Sequence, residues 1–164
     1  MTTVLAVLEQ RDGALRKISH EVVTGARRLA DALGGNATVE AVVCASGPVG
    51  NAGPVGSFGA DKVVTLTNAG FAKYAPEGYA QAIAERAKSG SYRAVVFAAS
   101  ATGKDLAPRV AAKLGVAVAA DITDVAVAGG AIVVTRPVYA GKALLKAKVA
   151  AQPAVLSRDR KSVV

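Results

Sequence analysis

The sequence predicts an α/β fold, a mainly parallel open sheet that closes in an antiparallel strand meander. Two observations predict the first part. Short apolar runs alternate with segments of helical periodicity through Gly115, a rhythm that implies a parallel sheet with right-handed crossovers. Half of the residues are hydrophobic, yet aromatics make up only 4%, so Ala and Val fill the interior, as closely packed parallel strands and helices require. A third observation predicts the close: after Gly115 three strand-like runs follow with no helical pattern between them, two of them joined by Gly129-Gly130, a strong hairpin signal.

In chain order, Thr3 to Leu8 is a short apolar strand ending at Glu9, and Arg11-Asp12-Gly13 makes a turn. Ser19 has the chemistry of a helix N-cap, with Glu21 near the positive helix end. Val22, Ala26, Leu29, Ala30 and Leu33 form the apolar stripe, and Gly34-Gly35 stops the helix. Val39 to Ala45 is the second strand. The next connection carries glycine at positions 47, 50, 53, 56 and 59, a composition that opposes a helix by up to about 1 kcal/mol per glycine, so at most a short helix is expected around Val55 to Phe58. Lys62 to Thr67 is a third strand and Asn68 to Ala75 a loop. Pro76 opens a helix whose Tyr79, Ile83 and Ala87 share one face.

The stretch from Tyr92 to Gly115 is the centre of the chain. Arg93 to Ala99 reads as a strand buried on both faces. Leu106, Val110 and Leu114 then give a helix docked on the sheet, with Arg109 and Lys113 on its wet side. Pro108 constrains where this helix begins. With Asp105 as N-cap, the proline falls at the third helical position, whose N–H needs no helical partner; this start is favoured over one at Thr102, which would put the ring in the second turn. Asp105 and Arg109 are spaced as an i,i+4 pair. Asp121 to Ala128, Ala131 to Pro137 and Ala143 to Val149 form the meander, and Pro153 to Val164 is a last strand or tail.

Length points to one domain, residues 1–164. No stretch approaches the ~18 apolar residues of a membrane span, and the amino terminus has no signal-peptide pattern, so a cytoplasmic protein with no membrane partner is expected. The formal charge of +8 is dispersed along the chain. With few aromatics for base stacking and no zinc-finger or RRM motif, nucleic acid is not an expected partner.

Catalytic constellations are missing. His20 is the only histidine, and Cys44, the only cysteine, ends a strand where a buried, inert thiol is the ordinary case. No HExxH, CxxC or paired-carboxylate motif occurs, so no metal site and no enzyme activity are expected. Ser100-Ala-Thr-Gly-Lys-Asp105 is not a P-loop: it lacks the first glycine and has Asp105 where Ser or Thr would hold magnesium. It could still cradle an anion, because Ser100, Thr102, Gly103 and Lys104 lie at the carboxyl end of a strand just ahead of a helix. Equally, such residues serve turn conformation alone.

Thr102-Gly-Lys-Asp-Leu-Ala-Pro-Arg109 with Val110-Ala-Ala-Lys-Leu114, then Asp121-Ile-Thr-Asp124 and Arg136-Pro-Val-Tyr-Ala-Gly141, resembles the amino-terminal domain of electron transfer flavoprotein alpha subunits. The opening residues 3–31 and Gly59-Ala-Asp-Lys-Val63 are similar to that family too. The resemblance implies a three-layer sheet with helices on both faces, like adenine-nucleotide-binding folds. It implies a beta subunit as partner, FAD in the complete heterodimer, and electron-donating dehydrogenases reached through the complex. In the family a second domain follows and holds most of the FAD, so this chain alone is expected to bind none; the glycine-rich segment 47–59 departs from the family's alanine-rich helix.

Two functions follow. The preferred one is a non-catalytic scaffold and docking domain of the flavin electron carrier. The alternative is a small adenine-nucleotide-binding protein with Leu8, Glu9, Ala45, Ser100, Thr102, Gly103 and Lys104 around a ligand such as AMP.

Overall fold

The computed structural model describes residues 2–159. Its strands and helices run β1 (Thr3–Val7), β2 (Gln10–Arg11), β3 (Ala14–Leu15), α1 (Ile18–Leu33), β4 (Thr38–Ala45), β5 (Lys62–Thr67), α2 (Pro76–Ser89), β6 (Tyr92–Ala98), α3 (Ala101–Leu114), β7 (Val118–Ile122), β8 (Asp124–Ala128), β9 (Ala131–Val138), β10 (Ala143–Val149) and β11 (Ala154–Arg158). Six strands form one parallel sheet in the order β5-β4-β1-β6-β11-β7. The chain steps outward from β1 through β4 to β5, then returns to β6 on the other side of β1. The topological switch point therefore lies between β1 and β6, where ligands collect in open α/β sheets.

Period-two alternation divides the core into two layers. Val4 and Ala6 of β1, with Leu8 just beyond it, face α1, which buries Val22, Val23, Ala26, Leu29 and Ala30. Leu5 and Val7 face the opposite layer, where α2 contributes Tyr79 and Ile83 and α3 contributes Leu106 and Val110 against Phe97. Helices thus cover both faces, as expected for an α/β fold of this kind. Burying side chains such as Leu5, Ile83 and Phe97 contributes about 1.5–3 kcal/mol each.

The meander forms as expected: β8, β9 and β10 are an antiparallel sheet in the order β10-β9-β8. Gly129 and Gly130 both have positive φ, 55° and 76°, as the two-residue turn between β8 and β9 demands. Ile132 and Val134 fasten this sheet to the α1 side of the core.

Several expectations need correction. The run Asp121 to Ala128 is two strands. Asp121 takes φ 53°, the pairing of β7 with β11 is bulged there, and after Ile122 the chain leaves the parallel sheet for the meander. The carboxyl end does not stay antiparallel either, because β11 returns to pair in parallel with both β6 and β7 and buries Ala154 to Ser157. Residues 160–164 of the expected last strand or tail lie outside the described residues. The glycine-rich connection holds a 3-10 helix over Gly53–Phe58, a little longer than expected, and the loop after β5 contains a 3-10 turn over Ala69–Ala72 capped by the Asn68 side chain.

Ser19 is not an N-cap. Helix α1 begins after Lys17, and Ser19 turns inward instead, its Oγ accepting the Glu9 N–H and donating to the Glu9 carbonyl, both at 2.9 Å. Nor does Asp105 begin α3. Ser100 is the cap, its Oγ accepting the Gly103 N–H at 3.0 Å, so Pro108 sits inside the helix. The early start is stabilised because Gly103 lets the first turn press against the end of β6. Asp105, now inside the helix, accepts from Arg109 at 3.1 Å as the spacing predicted.

A candidate cleft at the switch point

The carboxyl ends of β1, β4 and β6 surround a cleft of about 250 Å³. Its walls are apolar, with Val7, Leu8, Ile83, Phe97 and Leu106, and its mouth carries Arg11, Asp12, Lys73 and Tyr74. The β2–β3 hairpin forms one lip because the two-residue turn Asp12-Gly13, both at positive φ, folds the chain back. Tyr74 forms the other lip. Its hydroxyl donates to Asp105 at 2.7 Å, and its ring meets Tyr79 edge-on at 5.2 Å. Burial and the bond to Asp105 push the Tyr74 hydroxyl well above the ordinary tyrosine range, while the Tyr74 and Arg109 hydrogen bonds hold Asp105 below the usual carboxylate range.

At the floor, Gln10 Nε2 donates to the Cys44 carbonyl at 3.3 Å and approaches Tyr79 Oη at 3.4 Å. Cys44 also lines the cleft, and burial pushes its thiol up to about 12, so it is protonated at neutral pH. Among the described residues no cluster of His, Cys, Asp or Glu could hold a metal ion.

The seven residues expected around a ligand are not used alike. Leu8, Glu9, Thr102 and Gly103 line the cleft together. Ser100 stands behind them as the α3 cap and donates to Glu9 Oε1. Ala45 is buried at the end of β4, its carbonyl accepting the Asn68 N–H at 3.1 Å, and it is not among the lining residues. Lys104 turns to Asp121, 3.0 Å away, rather than into the cleft. Gly103 has a packing role: a Cβ there would lie 1.8 Å from the Ala98 carbonyl oxygen.

Sequence reasoning did not mark Arg16, Tyr74 or Gln10 as site residues, and gave Tyr79 only as part of the apolar face of the Pro76 helix. Arg16 Nη1 pairs with Glu9 Oε2 at 2.6 Å, and the Arg16 N–H donates to the Glu9 carbonyl at 2.8 Å. The Asp12-Gly13 pair was the available signal, since a two-residue turn there brings Arg16 back beside Glu9.

A flavin dinucleotide does not fit this cleft, whose volume lies below the ~300–1,000 Å³ of pockets for drug-sized ligands. No step through a flavin is therefore derived from these residues. Among the described residues no helix is long and apolar enough to cross a membrane.

The family model for the electron transfer flavoprotein domain matches residues 4–163. Similar proteins include electron transfer flavoprotein subunit alpha of Syntrophomonas wolfei, 37% identical over 146 residues, or 89% of this chain and 44% of the relative. The subunit of that name in Bacillus subtilis is 34% identical over 140 residues, 85% of this chain and 42% of the relative. Protein FixB of Clostridium saccharobutylicum is 36% identical over 135 residues, 81% of this chain and 40% of the relative. The chain spans less than half the length of the curated relatives it matches.

Proposed function

The chain belongs to the electron transfer flavoprotein domain family, and from that premise we propose that it is the amino-terminal scaffold and docking domain of an alpha subunit. In this reading residues 1–164 form one domain that pairs with a beta subunit in the cytoplasm. FAD belongs to the complete heterodimer, which takes electrons from dehydrogenases and passes them on. The flavin performs the redox chemistry, and the protein binds and positions it.

One observation carries the docking role. Tyr139, Leu144 and Leu145, at the free end of the β9–β10 hairpin, are 81%, 69% and 47% exposed. Successive strand residues point to opposite faces, so Leu144 shares one face of the hairpin with Lys146 and Lys148, while Leu145, opposite Arg136 in the register, lies on the other. Large apolar side chains rimmed by charge mark a protein interaction surface. The occupant is the beta subunit, because the relatives are named as subunits of a larger carrier.

The cleft supports the scaffold role, since it is too small for the flavin and Glu9, Arg16 and Tyr74 of its lining are engaged in hydrogen bonds of the chain's own. The purified chain is expected to show no flavin absorbance and to release no FAD on denaturation. A flavin spectrum with stoichiometric FAD would sink the scaffold reading.

A further inference from the structure

Between Asp124 and Asp159 the chain carries no acidic residue, but it carries Arg136, Lys142, Lys146, Lys148 and Arg158. All but the last of these cations lie in the β9–β10 hairpin. Elsewhere Arg16, Arg27, Arg86, Lys104 and Arg109 each hold a carboxylate, whereas Arg136, Lys142, Lys146 and Lys148 form no ion pair among the described residues. Arg136 is half-buried and still without a counter-ion, a state that a partner's carboxylate would relieve. The hairpin also outruns its support. On the face turned to the core, Ile132 and Val134 are buried and Val149 and Ala147 opposite them partly so, but Leu145 opposite Arg136 is 47% exposed. At the tip Tyr139, Ala140 and Gly141 have φ of 52°, 55° and 85°, and the Val138 carbonyl accepts the Gly141 N–H at 3.1 Å. Two non-glycine residues in left-handed backbone are strained, and they hold the Tyr139 ring out in solvent at 81% exposure.

We propose that the β9–β10 hairpin recognises an acidic face of the beta subunit with an apolar centre, Tyr139 and the two leucines filling the centre while Arg136, Lys146 and Lys148 meet carboxylates around it. Resting on the docking role proposed above, this assignment adds the partner's chemistry to it. Cations with no acid of their own along the hairpin repel one another until a negative surface covers them, and the same charge turns away a second copy of the hairpin. Nucleic acid fits poorly, because Tyr139 is the lone aromatic of the hairpin and leucines offer nothing to phosphates. A fluid anionic bilayer would meet the tip alone. The unpaired cations instead run from Lys142 down the strand to Lys148, roughly 20 Å at the usual strand rise, with Lys146 and Lys148 on one face and Arg136 on the other. Carboxylates fixed on a folded surface match that spread.

Calorimetry of the full chain with the beta subunit of its own organism reads the dissociation constant between about 0.05 M and about 0.3 M salt. The wild-type complex is expected to weaken about ten-fold or more over that range. Lys146→Glu/Lys148→Glu should weaken it at least about ten-fold at low salt and flatten the salt dependence. Lys17→Glu/Lys88→Glu, the same charge change on exposed residues outside the hairpin, should stay within about three-fold of wild type. Tyr139→Ala should cost about ten-fold and leave the salt dependence intact. A complex that forms but ignores both salt and the hairpin lysines overturns the proposal and leaves the docking role standing. Equal losses from the two double variants overturn it as well, since the net charge of the chain and not the hairpin would then be at work. No complex under any condition removes both. Wild-type binding to vesicles of phosphatidylcholine and phosphatidylserine that Lys146→Glu/Lys148→Glu abolishes would assign the hairpin to a lipid surface instead. Urea unfolding of each variant separates lost contact from lost fold, and the wild-type salt dependence decides without any variant.

Discussion

Gly103→Ala is expected to destabilise the chain by about 3 kcal/mol, the upper end of the usual cost of overpacking. The added Cβ would stand 1.8 Å from the carbonyl oxygen of Ala98 and 2.9 Å from its carbonyl carbon. Both atoms are backbone at the end of β6, buried in the middle of the sheet, so no flexible side chain can yield. The first turn of α3 has to move away, and Ser100, whose hydroxyl serves both the Gly103 N–H and Glu9, moves with it. Loss of the cap adds to the loss of packing. Urea unfolding at neutral pH measures the effect. Gly56→Ala is the control, because nothing lies within 4 Å of its Cβ position and its φ is not positive; a change within about 0.5 kcal/mol is expected there. Equal effects at the two positions would mean that Gly103 does not hold helix against strand.

The second large effect lies at the other end of the sheet. Glu40, 6% exposed near the start of β4, accepts two bonds from Arg86 of α2, both at 2.7 Å, and one from the Tyr92 hydroxyl at 2.7 Å. Lys62 stands 3.5 Å away. This cluster ties α2 to the amino-terminal edge of the sheet at β5, β4 and, across β1, β6. Arg86→Met is expected to cost about 3 kcal/mol at neutral pH, the low end for breaking a buried pair, because Tyr92 and Lys62 still serve the stranded carboxylate.

The pH dependence has a definite sign. Burial acts to raise the Glu40 carboxyl, but the Arg86 and Tyr92 hydrogen bonds and the Arg86 and Lys62 charges outweigh it and hold the group below the usual glutamate range. Its contribution to stability is therefore complete above the unfolded value of about 4.3 and is lost as the pH falls through the folded value below it. With Met at 86, burial meets less opposition and the carboxyl rises, so the deficit relative to wild type narrows on acidification. On the alkaline side, burial and the bond to Glu40 push Tyr92 up to about 12. Its contribution is present below the unfolded value of about 10 and fades as the pH rises toward the folded one. Unfolding curves from acid to neutral pH check the first sign; a deficit that widens on acidification would contradict it.

The parts of this fold that were legible in the sequence are those set by neighbours along the chain. Lys62 to Thr67 and the Pro76 helix read directly from periodicity and proline, and Gly129-Gly130 announced its hairpin. Helix α3 was placed with its apolar face correct but its start displaced, because Pro108 argues locally against an earlier turn while the stabilising contact, Gly103 on Ala98, is a tertiary one. The position of β11 could not be read at all. Ala154 to Arg158 is a short apolar run like several others, and its place between β6 and β7 depends on partners some 60 and 40 residues upstream in sequence.

The candidate site divides in the same way. The carboxyl edge of the sheet as the location of the cleft followed from strand-helix alternation, and Leu8, Glu9, Thr102 and Gly103 do meet there. Which of them are free for a ligand was not legible, because that depends on pairs distant in sequence. Ser100 reaches Glu9 across 91 residues, Tyr74 reaches Asp105 across 31, and Lys104 finds Asp121 through the bulge of β7.

The most direct test of the docking role is sedimentation velocity of this chain mixed with the electron transfer flavoprotein beta subunit of its own organism, with Leu144→Asp as comparison. A one-to-one complex that forms with the wild-type chain and is weakened at least about ten-fold by the charge buried at the hairpin end is the predicted result. Two components that sediment independently, or a complex indifferent to Leu144, would contradict the account.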